Sequence, residues 1–105
     1  MSSFGFIIAQ ARKAKHISQK ELATRISKED GESISPQFIN DIERDRRVPA
    51  EFIIGKLSAE LNLDKDHLCL LTGVLPKDLA EPIAAAPPET VTNAFRMFRK
   101  RINRR

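Results

Sequence analysis

The sequence predicts an all-α fold, with a compact five-helix domain followed by a basic amphipathic helix. Three observations lead to this prediction. Apolar residues recur every three to four positions along most of the 105-residue chain, which is the spacing of one helix face. The strict alternation typical of strands is absent, and the chain has neither Tyr nor Trp. A chain of this length can build one small core with appendages.

The first two helices are predicted from apolar spacing and a capping signal. The first covers residues 4–15 and has five apolar positions on one face: Phe4, Ile7, Ile8, Ala11 and Ala14. The second starts after Ser18, whose hydroxyl can accept from the Glu21 amide in a capping box. Its apolar stripe consists of Leu22, Ala23 and Ile26. A polar loop over residues 28–33, with Gly31 as its breaker, follows.

Three more helices complete the predicted domain. Ser35 and Pro36 supply the N-cap and first position of the third helix. The fourth covers residues 50–61, and its apolar side consists of Ile53, Ile54, Leu57 and Leu61. Asp64 caps a fifth helix that ends at Gly73. Five short helices with short connections can close one apolar core.

Charge and composition divide the chain into three parts. We expect a domain over residues 1–79, a Pro/Ala linker over 80–88 and a basic helix or tail over 89–105. Residues 1–88 hold 12 Lys/Arg and 13 Asp/Glu, whereas residues 89–105 hold six basic residues and one acidic residue. The positive charge of the protein, and the polyanionic partner it suggests, therefore belong to the last part.

The last part has an apolar face that needs a partner, because an isolated helix of this length is marginal in water. That face consists of Val91, Phe95, Phe98 and Ile102. Three interpretations remain open. The helix docks on its own domain or pairs with a second subunit, it is a disordered basic arm that orders on DNA, or it binds another protein or an anionic membrane.

Several classes of protein are excluded by composition. The single cysteine, Cys69, allows no intramolecular disulfide and no cysteine-cluster zinc site. We find no apolar run long enough to span a membrane and no signal-peptide pattern, so a cytoplasmic location is expected. The chain shows no nucleophile–base pair, phosphate loop or metal-ligand set. We therefore expect no enzymatic activity, no cofactor and no bound metal.

The second and third predicted helices resemble the helix-turn-helix of the phage repressor and Cro family, also called the xenobiotic-response-element family. Residues 19–26 and 34–44 carry the resemblance, and it extends over residues 4–79. A small Ala23 lets the two helices cross closely, and Ile34 precedes the cap of the third helix. The resemblance implies a sequence-specific DNA-binding regulator. The expected form is a homodimeric repressor on a palindromic operator in double-stranded DNA.

A helix fits the major groove with its first turns facing the base edges, so we expect the third helix to read bases. Four residues are candidates for this role: Pro36, Gln37, Asn40 and Asp41. Gln37 and Asn40 carry amides that can pair with adenine, Asp41 can accept from cytosine N4, and Pro36 can touch a thymine methyl.

The resemblance also implies phosphate contacts from Gln19, Arg44, Arg46 and Arg47, with Gln19 bracing Gln37. It further places Arg12 and Glu43 as a partly buried ion pair that ties the first helix to the end of the third.

Two features depart from the family pattern. Residues 28–33 form an acidic insertion. It is either a surface loop whose extra length costs the fold little or a loop that contacts a second protein. Asp45 replaces a customary glycine after the third helix. The alternative function is therefore an antitoxin or adaptor, in which this loop or the basic tail binds a partner protein.

Overall fold

The computed structural model describes residues 2–104, which divide into two units between Leu75 and Pro76. The first unit contains five helices: α1 (Phe4–Ala14), α2 (Gln19–Arg25), α3 (Pro36–Glu43), α4 (Glu51–Leu61) and α5 (Lys65–Thr72). The second contains α6 (Lys77–Ala85) and α7 (Pro88–Ile102). No strand forms within residues 2–104, so the all-α prediction is confirmed, with seven helices instead of six.

The first unit closes one apolar core among its five helices. α1 packs against α3, α4 and α5, α2 packs against α3, and α4 packs against α5. The largest of the fully buried side chains are Ile8, Leu22, Ile26, Ile39, Ile42, Ile54, Leu57, Leu68 and Cys69. Each large aliphatic side chain buried in this way stabilises the fold by roughly 1.5–3 kcal/mol. Since both α1 and α2 press on α3, its orientation is set by the core.

Side-chain caps start four of the five helices in this unit. The capping oxygens belong to Ser3, Ser18, Ser35 and Asp64, and they accept from the amides of Phe6, Glu21, Phe38 and His67. Each such cap is worth about 1 kcal/mol. α1 ends one residue before the predicted position, and α4 begins one residue after it. Gly73 ends α5 in the left-handed conformation, as predicted.

The acidic insertion is a short hairpin rather than an open loop. The Ile34 amide donates to the Ile26 carbonyl at 3.0 Å, and the Lys28 amide donates to the Glu32 carbonyl at 2.7 Å. Gly31 has a φ of +88°, the left-handed geometry that closes a three-residue hairpin turn. Because Ile26 and Ile34 are both buried, the base of the hairpin is held in the core and fixes the distance between α2 and α3.

The linker predicted over residues 80–88 is mostly helical. α6 includes Pro82 in its interior, and the helix breaks only at residues 86 and 87 before α7 begins. The many alanines explain the difference, because alanine has the highest helix propensity and offsets part of the cost of the proline. Neither α6 nor α7 contains a buried residue. Among the helices described, none is long and apolar enough to cross a membrane.

Candidate nucleic-acid interface

α3 has one face in the core and one face toward solvent. Ile39 and Ile42 are completely buried, whereas Pro36 and Gln37 are exposed and Asp41 is half-buried. Pro36 occupies the first helical position, where the missing amide hydrogen costs nothing. Of the four predicted base-reading residues, Pro36 and Gln37 are therefore exposed, and Asn40 and Asp41 are half-buried.

On the outer side, the side chains of Gln37, Asp41 and Arg46 form one chain of polar contacts, a hydrogen bond followed by an ion pair. Gln37 Nε2 donates to Asp41 Oδ1 at 3.0 Å, and Arg46 Nη2 lies 3.3 Å from the same oxygen. The reading of cytosine by Asp41 stays a prediction, and the structure adds that its Oδ1 already accepts from Gln37 and pairs with Arg46. Both contacts use Oδ1, and a carboxylate has a second oxygen that can accept from a base.

Gln19 contacts the second turn of α3, not the first. Its Nε2 donates to Asn40 Oδ1 at 3.3 Å and to Glu43 Oε1 at 3.0 Å. The predicted brace between Gln19 and Gln37 is therefore wrong, because the start of α2 lies beside the carboxyl-terminal half of α3. Asn40 Oδ1 also accepts from Arg44 Nε at 3.3 Å. The Asn40 oxygen is thus used within the protein, and its amide nitrogen is the group left to face a ligand.

The predicted ion pair between α1 and the end of α3 is present. Arg12 Nε lies 2.6 Å from Glu43 Oε2, and Arg12 Nη2 lies 3.0 Å from Oε1, which makes the pair bidentate. The side chains are 11% and 7% exposed, and Arg12 also donates to the Ile17 carbonyl at 2.8 Å. The hydrogen bond to Glu43 raises the pKa of Arg12, and the Coulombic attraction of Glu43 adds to this against the opposing effect of burial.

Each of the three arginines after α3 contacts a side chain of that helix. Arg44 donates to Asn40, Arg46 pairs with Asp41, and the Arg47 guanidinium lies 4.2 Å from the centre of the Phe38 ring. All three arginines are exposed. Arg44, Arg46 and Arg47 form what we call the arginine rim, a positive border of the kind that neutralises phosphates along a duplex.

Asp45 is a site residue whose role the sequence did not suggest. It has a φ of +57°, which turns the chain sharply after α3 and lets its carboxylate reach the start of α1. Oδ1 accepts from the Gly5 amide at 2.8 Å, and Oδ2 accepts from the Ser3 hydroxyl at 2.6 Å. The acid therefore lies at the positive end of the α1 dipole and is not free within the arginine rim. Aspartate strongly prefers to cap helix N-termini, and this preference is the one signal in the sequence that could have indicated its contact with the start of α1.

The predicted contact residues of the tail lie on one side of α7. Phe95, Phe98 and Ile102 are exposed and Val91 is half-buried. The Arg99 guanidinium lies 5.9 Å from the centre of the Phe95 ring. This side of α7 is therefore an apolar stripe with a cation beside it. That it forms a dimer or partner contact stays a prediction.

A family model described as Helix-turn-helix matches residues 8–68, more than half of the chain, and these residues include α2, α3 and the hairpin between them. The chain belongs to the helix-turn-helix family. As a helix-turn-helix protein it is not an enzyme, in agreement with the prediction from the sequence.

The relatives that match this helix-turn-helix protein bear the names of bridging or differentiation-related factors, not of phage repressors. It is 34% identical over 83 residues to endothelial differentiation-related factor 1 of Homo sapiens, a match covering 79% of the chain and 46% of that protein. It is 37% identical over 81 residues to multiprotein-bridging factor 1 of Debaryomyces hansenii, covering 77% and 44%. The chain thus spans less than half the length of these relatives. No solved structure matches.

Proposed function

We propose that this chain is a DNA-binding adaptor. Its helix-turn-helix contacts duplex DNA through α3, and a second surface binds a partner protein. The similarity to proteins named multiprotein-bridging factor carries the adaptor part of the proposal. We do not extend it to repression or to a homodimer on a palindromic operator, because neither the relatives' names nor the contacts within residues 2–104 favour these.

The DNA-binding role rests on the outer side of α3. Gln37 is exposed and carries an amide that can pair with an adenine edge. The arginine rim lies at the carboxyl end of the same helix, where it can neutralise phosphates on either side of the groove. We assign this role to the domain predicted over residues 1–79, with Pro36, Asn40 and Gln19 as additional contacts.

The protein-binding role rests on the stripe of α7, within the part predicted over residues 89–105. Duplex DNA offers phosphates to the six basic residues of this part but no apolar surface to Phe95 and Phe98. An acidic protein surface with an apolar groove satisfies both. The acidic hairpin is the weaker candidate, since its described contacts are within the hairpin and with the end of α2.

Fluorescence anisotropy with a preferred and a scrambled duplex tests the DNA-binding role. We expect Gln37→Ala to lose about 1–3 kcal/mol of discrimination, because one bidentate base contact is removed. We expect Arg47→Ala to weaken binding to both duplexes and to reduce the salt slope by about one, because one phosphate contact is removed. Lys56→Ala, on α4, is the charge-matched control and should behave almost like wild type. Equal losses on both duplexes for Gln37→Ala would refute base reading.

A double substitution, Phe95→Ser with Phe98→Ser, tests the protein-binding role. A protein retained by the full chain from its own cells would be identified and purified, and its affinity measured by calorimetry for both forms. Because α7 buries no residue within residues 2–104, we expect unchanged duplex affinity and melting temperature but loss of partner binding. Equal partner affinity for the double variant would show that the stripe is not the contact.

A further inference from the structure

The carboxylate of Asp41 occupies an unusual place for an acid, in the middle of a surface proposed to face phosphates. It lies on α3 one turn after Gln37 and is half-buried between Gln37 and Arg46. A carboxylate at this position repels DNA phosphates, so its presence on this surface needs another explanation. The contacts of Asp41 with Gln37 and Arg46 supply this explanation.

The first contact fixes the orientation of the Gln37 amide. An ionised carboxylate only accepts hydrogen bonds, so the amide nitrogen of Gln37 must face Asp41. The bond uses one of the two amide hydrogens at 3.0 Å. Its oxygen and its second N–H are then the groups of Gln37 left for a ligand. This is the acceptor and donor pair that matches N6–H and N7 of adenine.

The second contact keeps the carboxylate compatible with DNA. Arg46 Nη2 lies 3.3 Å from Asp41 Oδ1, and a guanidinium has further N–H groups that can reach a phosphate while it keeps this one. The carboxylate still disfavours acceptor atoms close to it. Guanine O6 is such an acceptor, whereas the adenine N6 amino group is a donor.

We propose that Asp41 is a specificity-determining positioning residue, which orients Gln37 for adenine and rejects guanine at the same base pair. This inference rests on the proposed DNA-binding role. It gives Asp41 a role besides the predicted reading of cytosine. It also predicts opposite effects on specific and non-specific binding, because the same negative charge that sets the choice of base weakens attraction to phosphates.

The test compares the affinities of Asp41→Asn and wild type for three duplexes. Two of them differ only in carrying adenine or guanine at the position read by Gln37, and the third has a scrambled sequence. We expect the adenine-to-guanine affinity ratio to fall about tenfold, because an asparagine can donate or accept and leaves the Gln37 amide free to turn. Affinity for the scrambled duplex should stay equal or rise, because one negative charge is lost. Asp66→Asn on α5 removes the same charge away from α2 and α3 and should leave the ratio unchanged.

Arg46→Ala supplies the opposite pattern. It leaves the bond between Gln37 and Asp41 in place, so the adenine-to-guanine ratio should persist while affinity for all three duplexes falls. An unchanged ratio in Asp41→Asn would overturn the inference, as would a parallel loss on every duplex, since the latter indicates a structural role only. If wild type itself prefers no duplex, the proposed DNA-binding function fails and not only the role of Asp41.

Discussion

Gly5 lies where the start of α1 meets the end of α3, and no larger residue fits there. A Cβ at this position would stand 2.5 Å from the Ile42 carbonyl oxygen and 2.6 Å from that of Glu43. Its amide also donates to Asp45. This close approach brings the turn after α3, with the arginine rim, against α1. The residue-level geometry of the interface thus begins outside the helix-turn-helix itself.

We expect Gly5→Ala to destabilise the first unit by about 2 kcal/mol or more, because the neighbours are backbone atoms of α3 that cannot move independently. Gly55→Ala is the matched control. There the nearest atom is Lys65 Cε at 3.7 Å, an ordinary contact, and alanine favours the helix by up to about 1 kcal/mol. Urea unfolding of both variants should give changes of opposite sign. Equal stability of Gly5→Ala and wild type would contradict the close approach.

A second residue-level prediction concerns the buried ion pair. Glu43→Ala leaves Arg12 without its carboxylate and Gln19 without one acceptor, so we expect a loss of about 3 kcal/mol in the free energy of unfolding. Glu60→Ala removes a more exposed pair with Arg25 and should cost less than about 1 kcal/mol. Thermal unfolding distinguishes the two, and similar melting temperatures would mean that the buried pair adds little.

At the scale of elements, residue type alone predicted helix starts well and long-range contacts poorly. The caps at Ser18, Ser35 and Asp64 are local, so the sequence was sufficient to find them. α6 was missed because Pro82 outweighed its alanines in the sequence interpretation. The partner of Gln19 was missed because it depends on how α2 crosses α3, which no local pattern determines.

The hairpin between α2 and α3 gives an element-level prediction. Replacing residues 29–31 by Asn-Gly should leave stability within about 1 kcal/mol, because a two-residue turn can join the paired Lys28 and Glu32, and loop length costs little. The bond between Ile26 and Ile34 would still fix the two helices. Denaturant unfolding provides the measurement, and replacing the same residues by Pro-Pro is the disruptive control. Unfolding of the Asn-Gly variant would show that the tip, not the base, holds the hairpin.

At the scale of the whole molecule, the two units differ in what they bury. The first has a closed core, whereas α6 and α7 bury none of their described residues. The resemblance to a known family implied the helix-turn-helix and the arginines that follow α3. Periodicity separated the inner face of α3 from the outer side that carries Gln37. The sequence did not predict the contacts of Asn40 with Gln19 or of Asp45 with α1, since these join segments that are distant in sequence. The contacts of Asp41 are with residues four and five positions away, and they were missed although they are local.

The outer side of α3 is the part of the molecule on which the proposed function depends most. The most direct measurement is selection of duplexes from a random library by the full chain, at about 0.1 M salt so that non-specific attraction is partly screened. We predict an enriched motif that contains an A·T pair, and we predict that information at that pair disappears when Gln37→Ala is used for selection. Selected duplexes without any enriched motif would contradict base reading by this helix. The same motif selected by wild type and by Gln37→Ala would contradict it as well.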